Sequence, residues 1–123
     1  MAWSIDARIP LTVLPDAEAL AGALAAARPA AVLAEGEPPA GTAALVIDSF
    51  LPTVNHAVGC ACCAGRSGAA IALDRLFQSR VRGRSGWFER VLVVGASPAG
   101  RAEVEYALAH DPLTASRFRV APG

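Results

Sequence analysis

The chain has 123 residues, of which 54% are hydrophobic and 18% are charged, so we expect one globular domain with a substantial core. Eleven arginines balance eleven acidic residues, no lysine is present, and the formal net charge is zero. This balance excludes an overall field that would attract nucleic acid or an anionic membrane. The absence of lysine excludes a lysine Schiff base and the phosphate-binding lysine of a P-loop.

The sequence shows no targeting signal and no membrane span. Its first eight residues lack the basic and apolar regions of a secretory signal, and no apolar run approaches the roughly 20 residues that a span needs. We therefore expect a cytosolic protein without membrane or nucleic-acid partners. In a reducing cytosol, thiols stay reduced unless a metal ion binds them.

The first part of the chain predicts a strand, a helix and a second strand. Residues 9–14 have the composition of a strand. Asp16 is a natural N-cap for a helix over residues 17–27, where alanine and leucine give high helix propensity. Residues 30–34 form a short apolar run that is typical of a buried parallel strand.

The rest of the chain continues this alternation. Residues 44–48 and 53–56 are either short strands or loops, and they are followed by a helix over 68–81 that Ser67 caps. A strand over 91–94, a helix over 99–110 and a last edge strand over 116–120 complete the chain. The order of elements predicts an α/β three-layer sandwich with a mostly parallel sheet. After the helix that Ser67 caps, residues 80–86 form a basic, glycine-rich loop that is typical of a solvated connection, with an anion site as the alternative.

All three cysteines lie within residues 59–63, which read Gly-Cys-Ala-Cys-Cys. The thiolates of Cys60, Cys62 and Cys63 can converge on one soft metal ion, since the small residues let the loop curl. His56 is either the fourth ligand or a hydrogen-bonded loop histidine, and without it the fourth position stays open for water or a partner's ligand. The alternatives are buried cysteines that act as small hydrophobic residues, or a disulfide.

A helix that starts after Ser67 would place its N-terminus close to the cysteines. The partial positive charge of that N-terminus stabilises thiolates, so we expect a lowered thiol pKa. Arg66 adds to the same effect.

The turn after the later strand carries Gly95, Ser97 and Gly100 but matches no known nucleotide or hydrolase motif. Ser97 stands where the second glycine of G-x-G-x-x-G belongs, and the spacing is one residue too long for G-x-S-x-G. Nothing in the spacing links Ser97, His110 and Asp111 as a triad. Ordinary turn chemistry is the simplest interpretation, and an anion held by Ser97 and backbone amides is the alternative.

Several segments together resemble the CobW-type GTPases, the metal-handling relatives of the GTPases that insert nickel into hydrogenase and urease. Residues 59–63 match the G-C-x-C-C motif of that family, and residues 9–14 resemble its opening strand. Residues 88–99 are similar to a later strand and turn of the family, and residues 108–119 are similar to the segment that comes after that turn.

The resemblance implies a reduced P-loop-GTPase-like domain that has lost its nucleotide site. The family carries G-x-x-G-x-G-K-T-T after its first strand, whereas residues 15–20 here are Pro-Asp-Ala-Glu-Ala-Leu. The carboxylates of Asp16 and Glu18 would repel phosphate. Gly95 stands where the family has an acidic residue, and the guanine-binding stretch and C-terminal domain have no counterpart in residues 1–123. We therefore expect a shortened, single-domain pseudo-GTPase with no catalytic residue and no bound nucleotide.

For the function, the resemblance implies a small metal-binding protein of the metal-homeostasis or metallochaperone type. Zinc is the expected metal, and Cu(I) is its rival because three soft thiolates suit trigonal coordination. The alternative is an interaction subunit or regulator of an intact CobW-type GTPase or its client, in which the cysteines have no metal role. Uncovered sheet edges would then predict such a partner or a homodimer.

Overall fold

The computed structural model describes residues 7–26, 28–52 and 67–121, in which strands and helices alternate. The strands are β1 (Ile9–Leu14), β2 (Ala30–Glu35), β3 (Val46–Phe50), β4 (Arg90–Val94) and β5 (Phe118–Val120). The helices are α1 (Ala17–Leu24), α2 (Gly68–Val81), α3 (Pro98–His110) and α4 (Pro112–Arg117). The predicted α/β class is confirmed.

The five strands form one sheet in the order β3-β2-β4-β1-β5. Every neighbouring pair is parallel, with Val32 opposite Leu92 in the central pair and Thr12 opposite Leu92 in the next. The sheet is therefore wholly parallel, where the sequence predicted a mostly parallel one. The central strands β2 and β4 are almost entirely buried and apolar, as expected for strands covered on both faces.

Helices cover both faces of this sheet and complete the three layers. On one face, α2 and α3 bury Leu73, Leu76 and Val104 against the sheet residues Leu33 and Val93. On the other face, α1 packs Leu20 and Leu24 against alternate sheet residues, Val32, Leu92 and Val94. The two clusters take alternate residues of the same strands because successive strand side chains point to opposite faces.

Short polar side chains start each described helix. Asp16 accepts a hydrogen bond from the amide of Ala19 (2.8 Å), and Ser67 accepts one from the amide of Ala70 (3.1 Å). Ser97 and Asp111 act in the same way at α3 and α4. These bonds satisfy amides that have no partner within the helix. The predicted caps Asp16 and Ser67 are confirmed.

Two predicted boundaries are wrong for physical reasons. The first helix ends at Leu24 and not at residue 27: the carbonyl of Ala23 accepts the amide of Ala26 (3.3 Å), which tightens the last turn, and it also accepts the guanidinium of Arg90 (2.8 Å). Ser116 and Arg117 belong to α4 and not to the last strand, since Asp111 closes α3 and also caps a new helix with proline at its start. The strand predicted over 44–48 lies at 46–50, and the segment 53–56 is outside the described residues.

Among the described residues, no helix is both long enough and apolar enough to cross a membrane.

Candidate functional site at the carboxyl edge of the sheet

The predicted metal ligands Cys60, Cys62, Cys63 and His56, together with Arg66, lie in residues 53–66, outside the described residues. The two ends of that loop are described. The strand before this segment, β3, ends at Phe50, and the residue after it, Ser67, is the N-cap of α2. Both ends therefore lie at the carboxyl edge of a parallel sheet, the edge at which open α/β proteins bind their ligands.

The same edge contains a topological switch point between β1 and β4. These neighbouring strands are followed by helices on opposite faces, α1 after β1 and α3 after β4. The chain therefore leaves the two strands toward opposite faces, after Leu14 and before Gly95, which is the arrangement at which open α/β proteins bind ligands. In nucleotide-binding α/β proteins, phosphate groups sit at such helix N-termini.

Asp16 occupies the N-terminus of α1, the first of these anion positions. Its carboxylate Oδ1 accepts the amide of Ala19, so the chain itself supplies a negative charge where a phosphate-binding loop would offer free amides. Glu18 adds a second acid in the first turn. The turn between β1 and α1 is therefore acidic, as its sequence predicts.

Glu35 occupies the second anion position, at the N-terminus of α3. It is the last residue of β2, and its Oε1 accepts hydrogen bonds from the amide of Ser97 (3.0 Å) and from its hydroxyl (2.8 Å). Ser97 Oγ in turn accepts the amide of Gly100 (3.1 Å). The carboxylate of Glu35 thus occupies the position at this turn where the sequence suggested an external anion as an alternative.

Gly100 makes room for that carboxylate. A Cβ at this position would lie 1.8 Å from Oε1 of Glu35, closer than any two such atoms can approach. Gly95 turns the chain out of β4 with a positive φ of 73°, a conformation that favours glycine. Sequence reasoning placed Glu35 in an acidic loop and missed this contact, although the pairing of a serine cap with a glycine three residues later was a signal that something approaches the first turn.

The N-terminus of α2, where the cysteine loop ends, also carries a carboxylate. Oε1 of Glu103, a residue of α3, accepts the amide of Ala69 (3.0 Å), and Ser67 accepts that of Ala70. The predicted helix start is confirmed. However, the charge of Glu103 opposes the partial positive charge of the helix end, so the helix contributes less to thiolate stabilisation than its dipole alone predicts.

A groove of about 450 Å³ lies between the two ends of the loop. It is formed by the end of β3 and the start of α2, and its lining includes Leu51, Ile71 and Arg75. Leu51 is 71% exposed. Arg75 is fixed by two hydrogen bonds to the carboxylate of Asp48 (2.8 and 3.0 Å), which raise the pKa of its guanidinium. The groove therefore combines apolar side chains with one positively charged residue that is paired with Asp48.

The remaining sequence candidates do not form a site. Ser97 and His110 stand at opposite ends of α3, about 20 Å apart by the helical rise. His110 packs against the ring of Tyr106 at 4.5 Å. Within residues 7–26, 28–52 and 67–121, no group of three or more His, Cys, Asp or Glu side chains could hold a metal ion.

Comparisons with models of protein families, with curated proteins and with solved structures each find no match. The resemblance to the CobW-type GTPases therefore rests on the sequence motifs alone.

Proposed function

We propose that the protein is a small cytosolic metal-binding protein of the metal-homeostasis or metallochaperone type. The thiolates of Cys60, Cys62 and Cys63 are its ligands, and His56 is the fourth donor. One observation carries the proposal. The only three cysteines of the chain fall within four positions, on a loop whose flanking residues join the fold at the ligand-binding edge of a parallel sheet.

The donor set favours zinc, with Cu(I) as the rival metal. Zinc in structural sites takes four sulfur or nitrogen donors in a tetrahedral arrangement, which three thiolates and one imidazole satisfy. Cu(I) is satisfied by three thiolates alone. The role of His56 therefore distinguishes the two metals.

Metal binding here does not involve nucleotide hydrolysis. The carboxylates of Asp16 and Glu35 lie at the helix N-termini that flank the switch point, the first as the cap of α1 and the second bonded to Ser97, the cap of α3. Both carboxylates would repel a phosphate placed there. No lysine exists in the chain to offset that repulsion. These features support a pseudo-GTPase that retains the fold and the metal loop.

Reconstitution with zinc under reducing conditions tests the proposal. The wild type is expected to hold one zinc ion per chain by elemental analysis after desalting, and the Cys60→Ser/Cys62→Ser/Cys63→Ser variant none. His56→Ala should weaken zinc binding while leaving Cu(I) binding, measured against a Cu(I)-chelating dye, nearly unchanged. His110→Ala removes the other histidine and is the matched control. Equal, negligible metal in the wild type and the triple variant would show the proposal to be wrong.

A second candidate is an interaction subunit or regulator of an intact CobW-type GTPase or its client. The observation that favours it is the state of the sheet edges, since β3 and β5 each have only one strand neighbour among the described residues. Such edges are templates for pairing with a second chain, including a second copy. Light scattering distinguishes the cases, because a monomer at high concentration that copurifies with no other protein contradicts this candidate.

A further inference from the structure

A second surface lies at the opposite, amino edge of the sheet and is centred on Trp87. The indole is 61% exposed, although the next residue, Phe88, is fully buried. Exposure of so large an apolar group forgoes stabilisation that burial would give, and tryptophan is usually found buried or in interfaces. This position therefore calls for an explanation beyond packing.

Arg80 contacts one side of the Trp87 ring. The guanidinium of Arg80 stacks over its ring at 3.6 Å, and Nε of Arg80 donates to the carbonyl of Phe88 (2.8 Å). The stacking orients the indole and leaves most of its surface open. A rigid aromatic group loses little conformational entropy when a partner packs on it.

Apolar side chains extend this surface. The methyl groups of Leu45 lie so close to Gly86 that a Cβ there would be 2.8 Å from Leu45 Cδ1. Leu45 is 47% exposed, and Val81 at the end of α2 is 48% exposed. We call these exposed apolar residues, Trp87 and Leu45 at the amino ends of β4 and β3 and Val81 in the last turn of α2, the Trp87 surface.

Two arginines lie in the turn between Val81 and Trp87. Arg82 and Arg84 lie on the turn after α2, which passes through Gly83 at a φ of 70°. Both are exposed, and among the described residues no carboxylate bonds to either guanidinium. The nearby acids are already engaged, since Asp48 pairs with Arg75 and Asp74 with Arg117.

Positive charge continues along the same edge. Arg28 precedes β2, and Arg90 begins β4 with its guanidinium bonded to the carbonyls of Ala23 and Arg28. Glu89 is the single acid of the segment from 80 to 90. The surface thus combines a fixed aromatic group, aliphatic neighbours and an excess of arginine.

We propose that the Trp87 surface binds an acidic protein segment that carries an apolar side chain. The apolar side chain packs on Trp87 and Leu45, and the carboxylates pair with Arg82 and Arg84. Tryptophan and arginine are the residues most enriched in the energetic centres of protein interfaces. The positive charge selects for an acidic partner and speeds its association.

Two features favour a protein over a nucleic acid or a membrane. Single-stranded nucleic acids bind along series of aromatic side chains, whereas the exposed ring of Tyr106, on α3, contacts His110 and, among the described residues, makes no ring contact with Trp87. Leu45 and Val81 also offer contacts that a phosphate backbone cannot use. Anionic membranes are bound by longer amphipathic helices with several apolar anchors. In α2, Val81 is the only large apolar residue that is exposed.

The test uses the full chain with Trp3→Phe, so that Trp87 is the only tryptophan. The probe is a synthetic peptide of four Glu-Glu-Leu repeats, and the controls are the Lys-Lys-Leu and Glu-Glu-Gly peptides. The acidic, leucine-containing peptide is expected to shift the emission of Trp87 to shorter wavelength and to bind at least about tenfold more tightly than either control. Equal binding of the three peptides, or no shift at millimolar peptide, would overturn the proposal.

Variants separate this surface from general charge effects. Arg82→Glu/Arg84→Glu should weaken binding of the acidic peptide by about tenfold or more. Arg101 is an exposed residue of α3, and Arg101→Glu should change the binding by less than about twofold. Circular dichroism and thermal unfolding establish that both variants fold. Tighter binding of an oligothymidylate or of phosphatidylserine vesicles than of the acidic peptide would assign the surface to nucleic acid or membrane instead. Because the proposal does not depend on the cysteines, the triple serine variant should bind the peptide as the wild type does.

Discussion

At the scale of single residues, the contact between Glu35 and Gly100 places a carboxylate of the protein itself at the turn before α3. The carboxylate of Glu35 takes both polar hydrogens of Ser97, and the missing side chain of Gly100 is the space that it fills. The strand β2 is thereby tied to the start of α3. The contact is local in space but spans 62 positions in sequence.

Gly100→Ala should destabilise the protein despite the higher helix propensity of alanine. The new Cβ displaces the carboxylate of Glu35 and leaves its hydrogen bonds unmade, which costs about 1–3 kcal/mol. The gain in propensity returns at most about 1 kcal/mol. Urea denaturation measures the net effect.

Two control variants isolate the cause. Gly22→Ala, on α1 with no atom within 4 Å of the new Cβ, should be neutral or stabilising. In a Glu35→Ala background the substitution of Gly100 should also cease to destabilise, since nothing remains to be displaced. A loss of stability that persists in that background would mean that Gly100 is required for a reason other than Glu35.

Arg90 has a comparable role for the opposite edge of the sheet. Burial lowers the pKa of its guanidinium, and the charge of Arg28 lowers it further, but an arginine stays charged in proteins. Arg90→Met should lose the bonds to the carbonyls of Ala23 and Arg28 and destabilise by about 1–3 kcal/mol.

The control for Arg90 is Arg101→Met. Arg101 makes only an exposed pair with Glu105 at 3.4 Å, so the loss should be below about 0.5 kcal/mol. Hydrogen exchange gives a second measurement, because Arg90→Met should speed exchange in α1 more than in α3. Equal effects of the two substitutions would contradict the assignment of Arg90 as the residue that holds the end of α1.

At the scale of elements, the sequence predicts best where one local signal acts alone. The predicted bounds of the first strand and of the second helix are confirmed. Pro15 and Asp16 follow that strand directly, and Ser67 caps the start of that helix, so both signals are local in the sequence. The end of α1 was predicted three residues too late, and no local pattern indicates that Arg90, 67 positions away, bonds to the carbonyl of Ala23 at this end. The short helix α4 was hidden because Asp111 ends one helix and begins another.

The candidate site was less predictable than the fold. Its cysteines can be identified from spacing alone, but their surroundings depend on side chains from distant elements. Glu103 reaches the start of α2 from α3, 34 positions along the chain, and no local pattern indicates this. The predicted lowering of the thiol pKa stays a prediction, now with an opposing charge beside the helix end.

At the scale of the whole molecule, the fold separates charges that the composition balances. Around the switch point the carboxyl edge carries four acids and one arginine, Asp16, Glu18, Glu35, Glu37 and Arg101. The amino edge carries five arginines and two acids, Arg28, Arg80, Arg82, Arg84, Arg90, Glu89 and Asp111. A net charge of zero excludes an overall field but not two local fields of opposite sign. The residues that flank segment 53–66 and the Trp87 surface therefore lie at opposite edges of the sheet.

The separation of charge predicts how salt affects the Trp87 surface. Pairing between exposed arginines and carboxylates is screened beyond about 8 Å at physiological ionic strength. Raising sodium chloride from 20 to 500 mM should therefore weaken binding of the acidic peptide at least about tenfold and slow its association. The Arg82→Glu/Arg84→Glu variant should lose most of this salt dependence, and the same dependence in both proteins would show that other charges attract the peptide.

Metal binding should stabilise the whole fold, because the loop from 53 to 66 connects β3 to α2 and both pack in the main core. Zinc that binds the folded chain alone raises the free energy of unfolding by about 2.7 kcal/mol when free zinc is 100 times its dissociation constant. Zinc should thus raise the midpoint of thermal unfolding of the wild type and leave that of the triple serine variant unchanged.

The pH dependence of this zinc effect depends on the thiols. A free thiol has a pKa of about 8.5, so zinc must displace protons at neutral pH. Well below the thiol pKa, each fall of one pH unit lowers the zinc affinity by up to about tenfold for every thiol that must lose its proton on binding. The zinc-induced stabilisation should therefore be largest near pH 8 and be lost as the pH falls toward 6. Thermal unfolding with and without zinc at pH 6, 7 and 8 measures it, and a zinc effect that is independent of pH, or equal in the triple serine variant, would exclude the cysteine thiolates as the ligands.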